Sequence, residues 1–298
     1  MALDTTNKID VNRSTTGIKL PSDLLGEVWQ GITENSFVMS HARRLTVPGS
    51  GTNVNIIASD PEPAWVTEST EKTVDTPTFE NKTMTPYKLA VIVPFSDEFR
   101  RDLPTLYSAV VERVPFALAK KFDSTVFFGT APGTNFDTLS SVDAVDLEAA
   151  PADAINGAIT GIGVAGGAAN AIALAPQGYG ILSGAKNTDG SLTFGGSYNS
   201  AGSITPFGLP VTVVNAAYKA GSSAANTVGF IGDWTKAIVG VVQDVTIDYS
   251  NQATINDGTR QVNLWQRNMF ALRCEMEVGF IIEDADYFKR FTDTYQAG

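Results

Sequence analysis

The sequence is short of the residues from which reactive sites are most often built. It contains one cysteine, Cys274, and one histidine, His41, among 298 residues. A single cysteine excludes an internal disulfide, and one cysteine plus one histidine fall short of the ligand set that zinc sites usually use. We therefore expect no metal site and no cofactor. We interpret His41 as a partly buried residue at a helix end, because no nucleophile-elbow sequence lies near it.

Charge and long apolar runs are also scarce. Charged residues make up 18% of the chain, and the net charge is −11. Tight non-specific binding to nucleic acid needs a surplus of Lys and Arg, although a protein that only encloses DNA needs none. No segment approaches about eighteen consecutive apolar residues, so we expect no membrane span. The N-terminal segment also lacks the apolar centre of a secretory signal. The ordinary hydrophobic content, 43%, predicts a globular protein with a sizeable core.

The most informative feature that is present is a polar, proline-containing ribbon from Thr52 to Phe95. Two extended arms of about fifteen residues or more are predicted to meet near Ser69–Lys72, and each would reach about 50 Å. A two-stranded ribbon is marginal in water on its own, and few apolar residues lie between Thr67 and Lys88. We expect the ribbon to rest on something outside its own chain, which indicates an assembling protein.

The segments around the ribbon predict helices. Residues 1–20 are polar and are expected to form a flexible arm, and an amphipathic helix is expected to begin at Pro21. A second, long helix is predicted over Leu103–Phe128, with Pro104 in its first turn and Gly129 at its end. Pro115 lies inside this helix, and we expect a bend there rather than two separate helices.

The second half of the chain predicts mostly strands. Strand signals occur at Ala171–Pro176, Leu209–Ala216 and Thr227–Asp233, with a glycine- and serine-rich loop region between the first two. Further strands are predicted for VVQDVTIDYS and for the long closing run QVNLWQRNMFALRCEMEVGFIIED. Because helices and strands are interleaved without strict alternation, the fold class is α+β.

A glycine motif, Gly161-Ile-Gly163-Val-Ala-Gly166, matches the dinucleotide fingerprint. That fingerprint requires a strand before it and a helix after it. The preceding segment, Asp153 to about Thr160, instead has helical character. We interpret the motif as a Gly/Ala-rich loop.

Two charged clusters have simple structural interpretations. Glu283, Asp284 and Asp286 form an acidic group that could bind a cation or act as acid and base. Solvation at a strand end or a helix N-terminus explains the group without a site. Arg43 and Arg44 precede a strand and are interpreted as surface or interface residues.

Taken together, the segments closely resemble the major capsid proteins of tailed bacteriophages of the Hong Kong 97 type. The matching order begins with LPSDLLGEVWQGITENSFV, AWVTE, KLAVIVPFSDE and FDSTVFFGTAPG. It continues with AIALAP, LTFGG, GLPV and GFIGDW, and it closes with RNMFALRCEMEVGFIIEDADYFKRF. Each motif alone is loose, but their number, order and spacing over residues 18–292 make the resemblance specific.

The resemblance implies a fold with an N-terminal arm, an extended β-hairpin loop, a peripheral domain with a long spine helix, and an axial domain. The implied segments are an arm over 1–20, peripheral parts over 21–50, 95–145 and 243–298, an extended loop over 51–94, and an axial domain over 146–242. The implied function is that of a structural protein and not an enzyme. Copies would form pentamers and hexamers that close into an icosahedral shell around double-stranded DNA, assembled in the bacterial cytoplasm and located in the virion.

The resemblance also implies a covalent crosslink. The family's prototype joins a lysine of the extended loop to an asparagine of the peripheral domain, helped by a glutamate. Lys72, which lies seven residues before Phe79, matches the lysine, and Asn268 and Glu275 match the other two. These two are an odd number of residues apart, so in a regular strand they would face opposite sides. This spacing suits a site built from three subunits.

Further partners follow from the same resemblance. Members with a built-in scaffolding segment carry a long extra N-terminal stretch that a protease removes, whereas this sequence has a short arm. We therefore expect a separate scaffolding protein and no large proteolytic trimming. A portal protein is implied as a partner, and a decoration protein is a further partner that the fold allows.

Two other functions stay open at this stage. An encapsulin-like nanocompartment shares the fold but holds cargo enzymes, and neighbouring genes would distinguish it from a phage. A carboxylate-based enzyme would need acids converging in a pocket. A compact monomer in sizing experiments would favour this last interpretation.

Overall fold

The computed structural model describes residues 36–59, 61–68, 70–72, 74–194, 204–221, 225–256 and 260–293, apart from the side chains of 57–59. The predicted arm over 1–20 and the predicted helix from Pro21 lie outside the described residues. The helices are α1 Phe37–His41, α2 Asp97–Asp102, α3 Pro104–Phe128, α4 Pro151–Val164 and α5 Pro176–Gly184. The strands are β1 Arg43–Thr46, β2 Thr52–Ser59, β3 Thr78–Met84, β4 Tyr87–Ser96, β5 Ala144–Asp146, β6 Ala171–Leu174, β7 Val211–Val213, β8 Thr227–Gly232, β9 Ala237–Ser250, β10 Thr254–Asn256, β11 Gln261–Asn263, β12 Met269–Ile282 and β13 Phe288–Thr292.

Two larger sheets organise the described residues. One has four strands in the order β1-β9-β12-β4, and the other has five strands in the order β5-β13-β8-β6-β7. Two separate antiparallel pairs, β2–β3 and β10–β11, project from them. The predicted α+β class is confirmed. The strand β13 comes from the end of the described chain and lies between β5 and β8 in the five-stranded sheet.

The long helix α3 packs against one face of the four-stranded sheet. Alternate residues of β12 point to this face, because side chains in a strand change sides at every residue. Cys274, Met276 and Phe280 are buried there together with Leu118 and Phe122 of the helix. At about 25 cal/mol per Å² of buried apolar surface, such contacts supply most of the favourable free energy of the domain.

The ends of α3 follow from local chemistry. Pro104 occupies the first turn, where its missing N–H costs nothing, and Gly129 is the C-terminal cap. A Cβ at Gly129 would come within 2.6 Å of the Thr125 Cα, so close approach of the backbone requires glycine there. The helix continues through Pro115, so the expectation of one helix is confirmed. The bend at Pro115 stays a prediction.

A second core lies around the five-stranded sheet, where α4 covers buried residues of β6 and β8. Helix α4 runs to Val164 and therefore contains Gly161 and Gly163. The prediction of a Gly/Ala loop at these two residues was wrong, and the loop begins only after the helix. Helix α5 was not predicted, because its glycines lower its helix propensity.

The closing strand is interrupted, contrary to its predicted continuity. The run of residues predicted as one strand contains β11, a short 3-10 turn at Trp265–Arg267, and then β12. Asn268 between the turn and β12 has a left-handed φ of 51°. Asparagine tolerates this conformation better than most residues, and it reverses the chain here.

The ribbon has shorter strands than the sequence predicts. Strands β2 and β3 pair antiparallel, with Thr52 opposite Met84 and Ile57 opposite Phe79. Described residues between Ser59 and Thr78 form no strand, because prolines in this segment cannot donate to a ladder. The return arm also divides, since β4 pairs with β12 in the four-stranded sheet. The paired part of the ribbon is therefore about 25 Å long and not about 50 Å.

Met84 fixes the root of the ribbon in a notch of the four-stranded sheet. Gly240 of β9 and Gly279 of β12 are directly opposite each other in register, and the Met84 side chain occupies the space that their missing side chains leave. Met84 is fully buried, with Val47 and Ile281 beside it. A Cβ at Gly279 would come within 2.9 Å of the Met84 Cγ.

This notch predicts a stability effect. Gly279→Ala should lower the free energy of unfolding by about 1–3 kcal/mol, because the added methyl group overpacks Met84. Gly157→Ala is the matched control, since α4 leaves open space at that position. There the same change should stabilise the protein by about 0.5–1 kcal/mol. Chemical denaturation of both variants measures the difference, and equal stabilities would contradict the notch.

Candidate intersubunit surfaces

The tip of the ribbon presents large apolar side chains to solvent. Trp65 is 104% exposed relative to a free reference residue, Val74 is 92% exposed, and Phe79 is 68% exposed. Single exposed apolar residues are common on protein surfaces, but three on one thin ribbon leave it with little core of its own. The exposed side chains of these three residues are together called the tip surface below.

A carboxylate holds the two sides of the tip together. Asp75 accepts a hydrogen bond from the Glu62 N–H at 2.7 Å and another from the Thr76 N–H at 2.9 Å. These two backbone donors, the Glu62 N–H first, lower the pKa of Asp75 below its ordinary value of 3.8. The hydroxyls of Thr67 and Thr70 add a contact of 2.6 Å.

Lys72, the predicted nucleophile, lies in the same tip segment and is exposed. It belongs to neither β2 nor β3.

Asn268, the predicted acceptor, is exposed on the turn before β12. Its main-chain carbonyl oxygen accepts a hydrogen bond from the Asp97 N–H at 2.9 Å, which fixes the turn. Trp265 on the same turn is 66% exposed. The prediction that Asn268 and Glu275 face opposite sides assumed that both lie in one regular strand. Asn268 instead lies outside β12 in a left-handed conformation, so that assumption was wrong.

Glu275 lies in the middle of β12, on the sheet face away from α3. Its side chain is only 13% exposed, and its carboxylate is 3.4 Å from the Arg273 Nε. Arg273 also donates to Asp248 at 2.6 Å. The pKa of Arg273 is raised, first by the hydrogen bond to Asp248 and then by the charge of Glu275.

One chain does not bring the three predicted residues together through contacts. Among the described residues, no hydrogen bond or ion pair joins Lys72 to Asn268 or Glu275. Lys72 is in the ribbon tip, Asn268 precedes β12, and Glu275 is inside it.

The sheet face that carries Glu275 is open to solvent near the end of β9. A groove of about 560 Å³ is bounded by Ile92, Tyr249, Ile255, Ala271 and Arg273. Sequence reasoning missed this groove, because it forms only where β10–β11 packs beside the start of β12. The apolar pair Trp65-Val66 inside a polar segment was the one available signal for the tip surface.

The acidic group at residues 283–286 and His41 have structural roles. Glu283 pairs with Lys236 at 2.9 Å and thereby raises the Lys236 pKa, and Asp284 accepts from the Asp286 N–H in a short turn. Among the residues described here, no group of three or more His, Cys, Asp or Glu is arranged to hold a metal ion. His41 ends α1, is partly buried and stacks on Phe37, so its interpretation is confirmed.

The remaining charged residues near the sheet edge lie at the surface. Arg43 and Arg44 of β1 are exposed, and Arg44 contacts Asp244 at 3.3 Å. No helix within the described part of the chain is long and apolar enough to cross a membrane.

Comparison with known proteins identifies the family of this chain. The model of the phage capsid family matches residues 16–293. The chain belongs to the phage capsid family. The probable major capsid protein gp17 of Mycobacterium phage D29 is 28% identical over 280 residues, which cover 89% of this chain and 87% of that protein. The protein of the same name from Mycobacterium phage L5 is 29% identical over 281 residues, 87% and 84% of the two chains.

Solved structures share the fold at lower identity. A chain from Mycobacterium phage Adephagia has a TM-score of 0.76 at 22% identity and covers 97% of this chain and 100% of its own. A chain from Gordonia phage Cozz has a TM-score of 0.77 at 18% identity, with coverages of 93% and 92%. The predicted capsid fold and the virion capsid as its location are therefore confirmed. The bounds of the individual segments and the crosslink residues of this phage capsid protein stay predictions.

The tip contacts predict a pH effect and a mutational effect in the unassembled subunit. Because the Asp75 pKa is depressed in the folded tip, its contacts are present above about pH 3.8 and are lost as the pH falls through the lower, folded value. Asp75→Ala should remove the contacts at neutral pH. A glutamate-specific protease should then cut the tip severalfold faster.

Asp189→Ala is the matched control for this experiment. Asp189 is an exposed aspartate whose pKa is also lowered, in its case by the hydroxyl and the N–H of Ser191. It lies outside the ribbon, so its loss should leave cleavage of the tip unchanged. Equal rates of tip cleavage in both variants would contradict the role of Asp75.

Proposed function

We propose that this protein is the major capsid protein of a tailed phage and that its copies assemble as pentamers and hexamers of an icosahedral shell around double-stranded DNA. The tip surface is the observation that carries this proposal. Trp65, Val74 and Phe79 are exposed on a ribbon that its own core does not cover. A neighbouring copy supplies the surface that buries them.

The charge of the chain agrees with enclosure rather than binding of DNA. A net charge of −11 gives no general attraction to phosphate. Sequence recognition is not needed for a container. A scaffolding protein, a portal protein and, where present, a decoration protein are the further partners in this proposal.

The two alternatives are less well supported. The relatives named above are phage proteins, which favours a virion over an encapsulin-like compartment. An enzyme would need converging acids, whereas Glu283 is paired with Lys236 and Asp284 accepts the N–H of Asp286 in a turn.

The assembly proposal predicts the result of electron microscopy on the expressed protein, alone and with the scaffolding protein from the same genome. Closed shells of uniform size are expected from the wild type. Trp65→Ser and Val74→Ser should lower the shell yield, because burying a large apolar side chain contributes about 1.5–3 kcal/mol per contact. Val164→Ser is the matched control, since Val164 is 85% exposed and lies outside the ribbon. Compact wild-type monomers under all conditions would contradict the proposal.

We also propose that shell subunits become joined through Lys72 and Asn268. The Lys72 amine loses a proton to the Glu275 carboxylate, and its Nζ then attacks the side-chain amide carbon of Asn268. A bond forms between Nζ and this carbon. Glu275 gives its proton to Nδ2 and takes the second proton from Nζ as the bond from the carbon to Nδ2 breaks. Ammonia leaves, an amide N–H remains at Nζ, and Glu275 releases the last proton to solvent.

Three observations support this assignment. Lys72 and Asn268 are both exposed, so two copies can bring them together. The Asn268 turn is fixed by its hydrogen bond from Asp97, which holds the acceptor in place. The Glu275 side chain is only 13% exposed, and its carboxylate is 3.4 Å from the Arg273 Nε, so the carboxylate is held in a defined position.

Boiling mature particles in detergent before electrophoresis tests the crosslink. A ladder of bands, or material too large to enter the gel, is expected from the wild type. Lys72→Arg keeps the charge but removes the nucleophile, so it should give one monomer band from intact shells. Asn268→Ala should do the same. A single monomer band from mature wild-type particles would contradict the crosslink and leave shell assembly untouched.

A further inference from the structure

Beyond the end of β4, the edge of β12 beside the ribbon root pairs with a loop and with side chains rather than with a strand. Pairing between β4 and β12 ends where Tyr87 is opposite Val278. The next residue on the β4 side is Pro86, which has no N–H to donate. The backbone groups of Phe280 and Ile282 are therefore left for other partners.

Asp137 and Lys82 supply these partners. The Asp137 N–H donates to the Phe280 carbonyl at 2.9 Å, and the Ile282 N–H donates to the Asp137 Oδ2 at 3.0 Å. Lys82 donates to the Ile282 carbonyl at 2.7 Å, and its Nζ is 2.8 Å from the same Asp137 oxygen. The three groups form a closed arrangement that is called the root clamp below.

The root clamp joins the ribbon to the core through one side chain. Lys82 belongs to β3, opposite Val54 of β2, whereas Asp137 lies in the loop after α3 and Ile282 ends β12. Both charged side chains are about two-thirds shielded, with exposures of 34% and 27%. Charge-assisted hydrogen bonds are stronger than neutral ones, and partial shielding protects them from salt.

A nearby lysine shows the contrast. Lys88 on β4 is 59% exposed, and its Nζ is 4.0 Å from the Glu277 carboxylate. A pair at this distance on an open surface contributes little. Lys82, by comparison, makes two short contacts with fixed groups.

We propose that Lys82 and Asp137 are positioning residues for shell assembly. They set the angle at which the ribbon leaves its subunit, and thereby where the tip surface meets a second copy. The paired part of the ribbon is about 25 Å long, so a change of about 10° at the root moves its end by about 4 Å. That displacement exceeds the tolerance of a packed contact. This inference rests on the assembly proposed above.

The root clamp sets the direction of the ribbon and contributes little to the stability of the fold. Met84 is buried between Gly240 and Gly279 without any contribution from Lys82, so we expect the ribbon to stay attached when Lys82 is changed. Lys82→Met keeps the aliphatic stem and removes the charge. The thermal midpoint of the unassembled subunit should fall by only about 2–4 °C.

Assembly of four proteins under one condition tests the inference: the wild type, Lys82→Met, Lys82→Arg and Lys88→Met. Shell yield is measured by sedimentation and electron microscopy, and the thermal midpoint is measured on unassembled subunits. Lys82→Met should lose shells by about tenfold, which corresponds to a small change in contact free energy. Lys82→Arg, which keeps the charge, should recover most of the yield, and Lys88→Met should equal the wild type.

The possible results separate the two proposals. Normal yield from Lys82→Met beside a normal wild type would overturn the root clamp alone. A fall of more than about 10 °C in the thermal midpoint of Lys82→Met would assign Lys82 to folding and would also overturn it. Absence of shells from the wild type would overturn the proposed function and this inference together.

Discussion

The antiparallel pairing of β12 with both β9 and β4 is the interaction on which the rest of the structure depends. One face of β12 packs on the long helix α3 through Cys274, Met276 and Phe280. The other face carries Glu275, and at Gly279 the strand receives the Met84 side chain. A single strand thus connects the core, the predicted proton acceptor and the root of the ribbon.

The ribbon combines a fixed root with an uncovered tip. Its root is held by apolar contact at Met84 and by the charged contacts of Lys82. Its tip exposes Trp65 and Val74 and is held together by Asp75. This division suits a subunit that must present one surface in a defined direction, because rigid presentation lowers the entropy lost on association.

Sequence patterns predicted the elements whose signals are local. The 3.6-residue period of α3, its proline start and its glycine end were sufficient to place that helix, and buried runs such as Ala171–Leu174 predicted strands. The predicted length of the ribbon strands and the predicted continuity of the closing strand were wrong. The length of a ribbon strand depends on its pairing partner, and the interruption of the closing strand depends on the left-handed turn at Asn268. Neither feature is visible in a local sequence pattern.

The candidate sites show the same limit. Lys72, Asn268 and Glu275 came from a family resemblance, and no hydrogen bond or ion pair joins Lys72 to the other two among the described residues. The contact between Lys82 and Asp137 could not be predicted from the sequence, because a lysine and an aspartate 55 positions apart form no motif. Only the end of the β4–β12 ladder at Pro86 explains why they meet.

Hydrogen exchange at the ribbon tip, compared between unassembled subunits and closed shells, tests the central claim most directly. The claim is that a second copy covers the tip surface. The account predicts fast exchange of residues 61–68 and 74–77 in the free subunit and strong protection in shells, with β12 protected in both. Equally fast exchange of the tip in both states would contradict it.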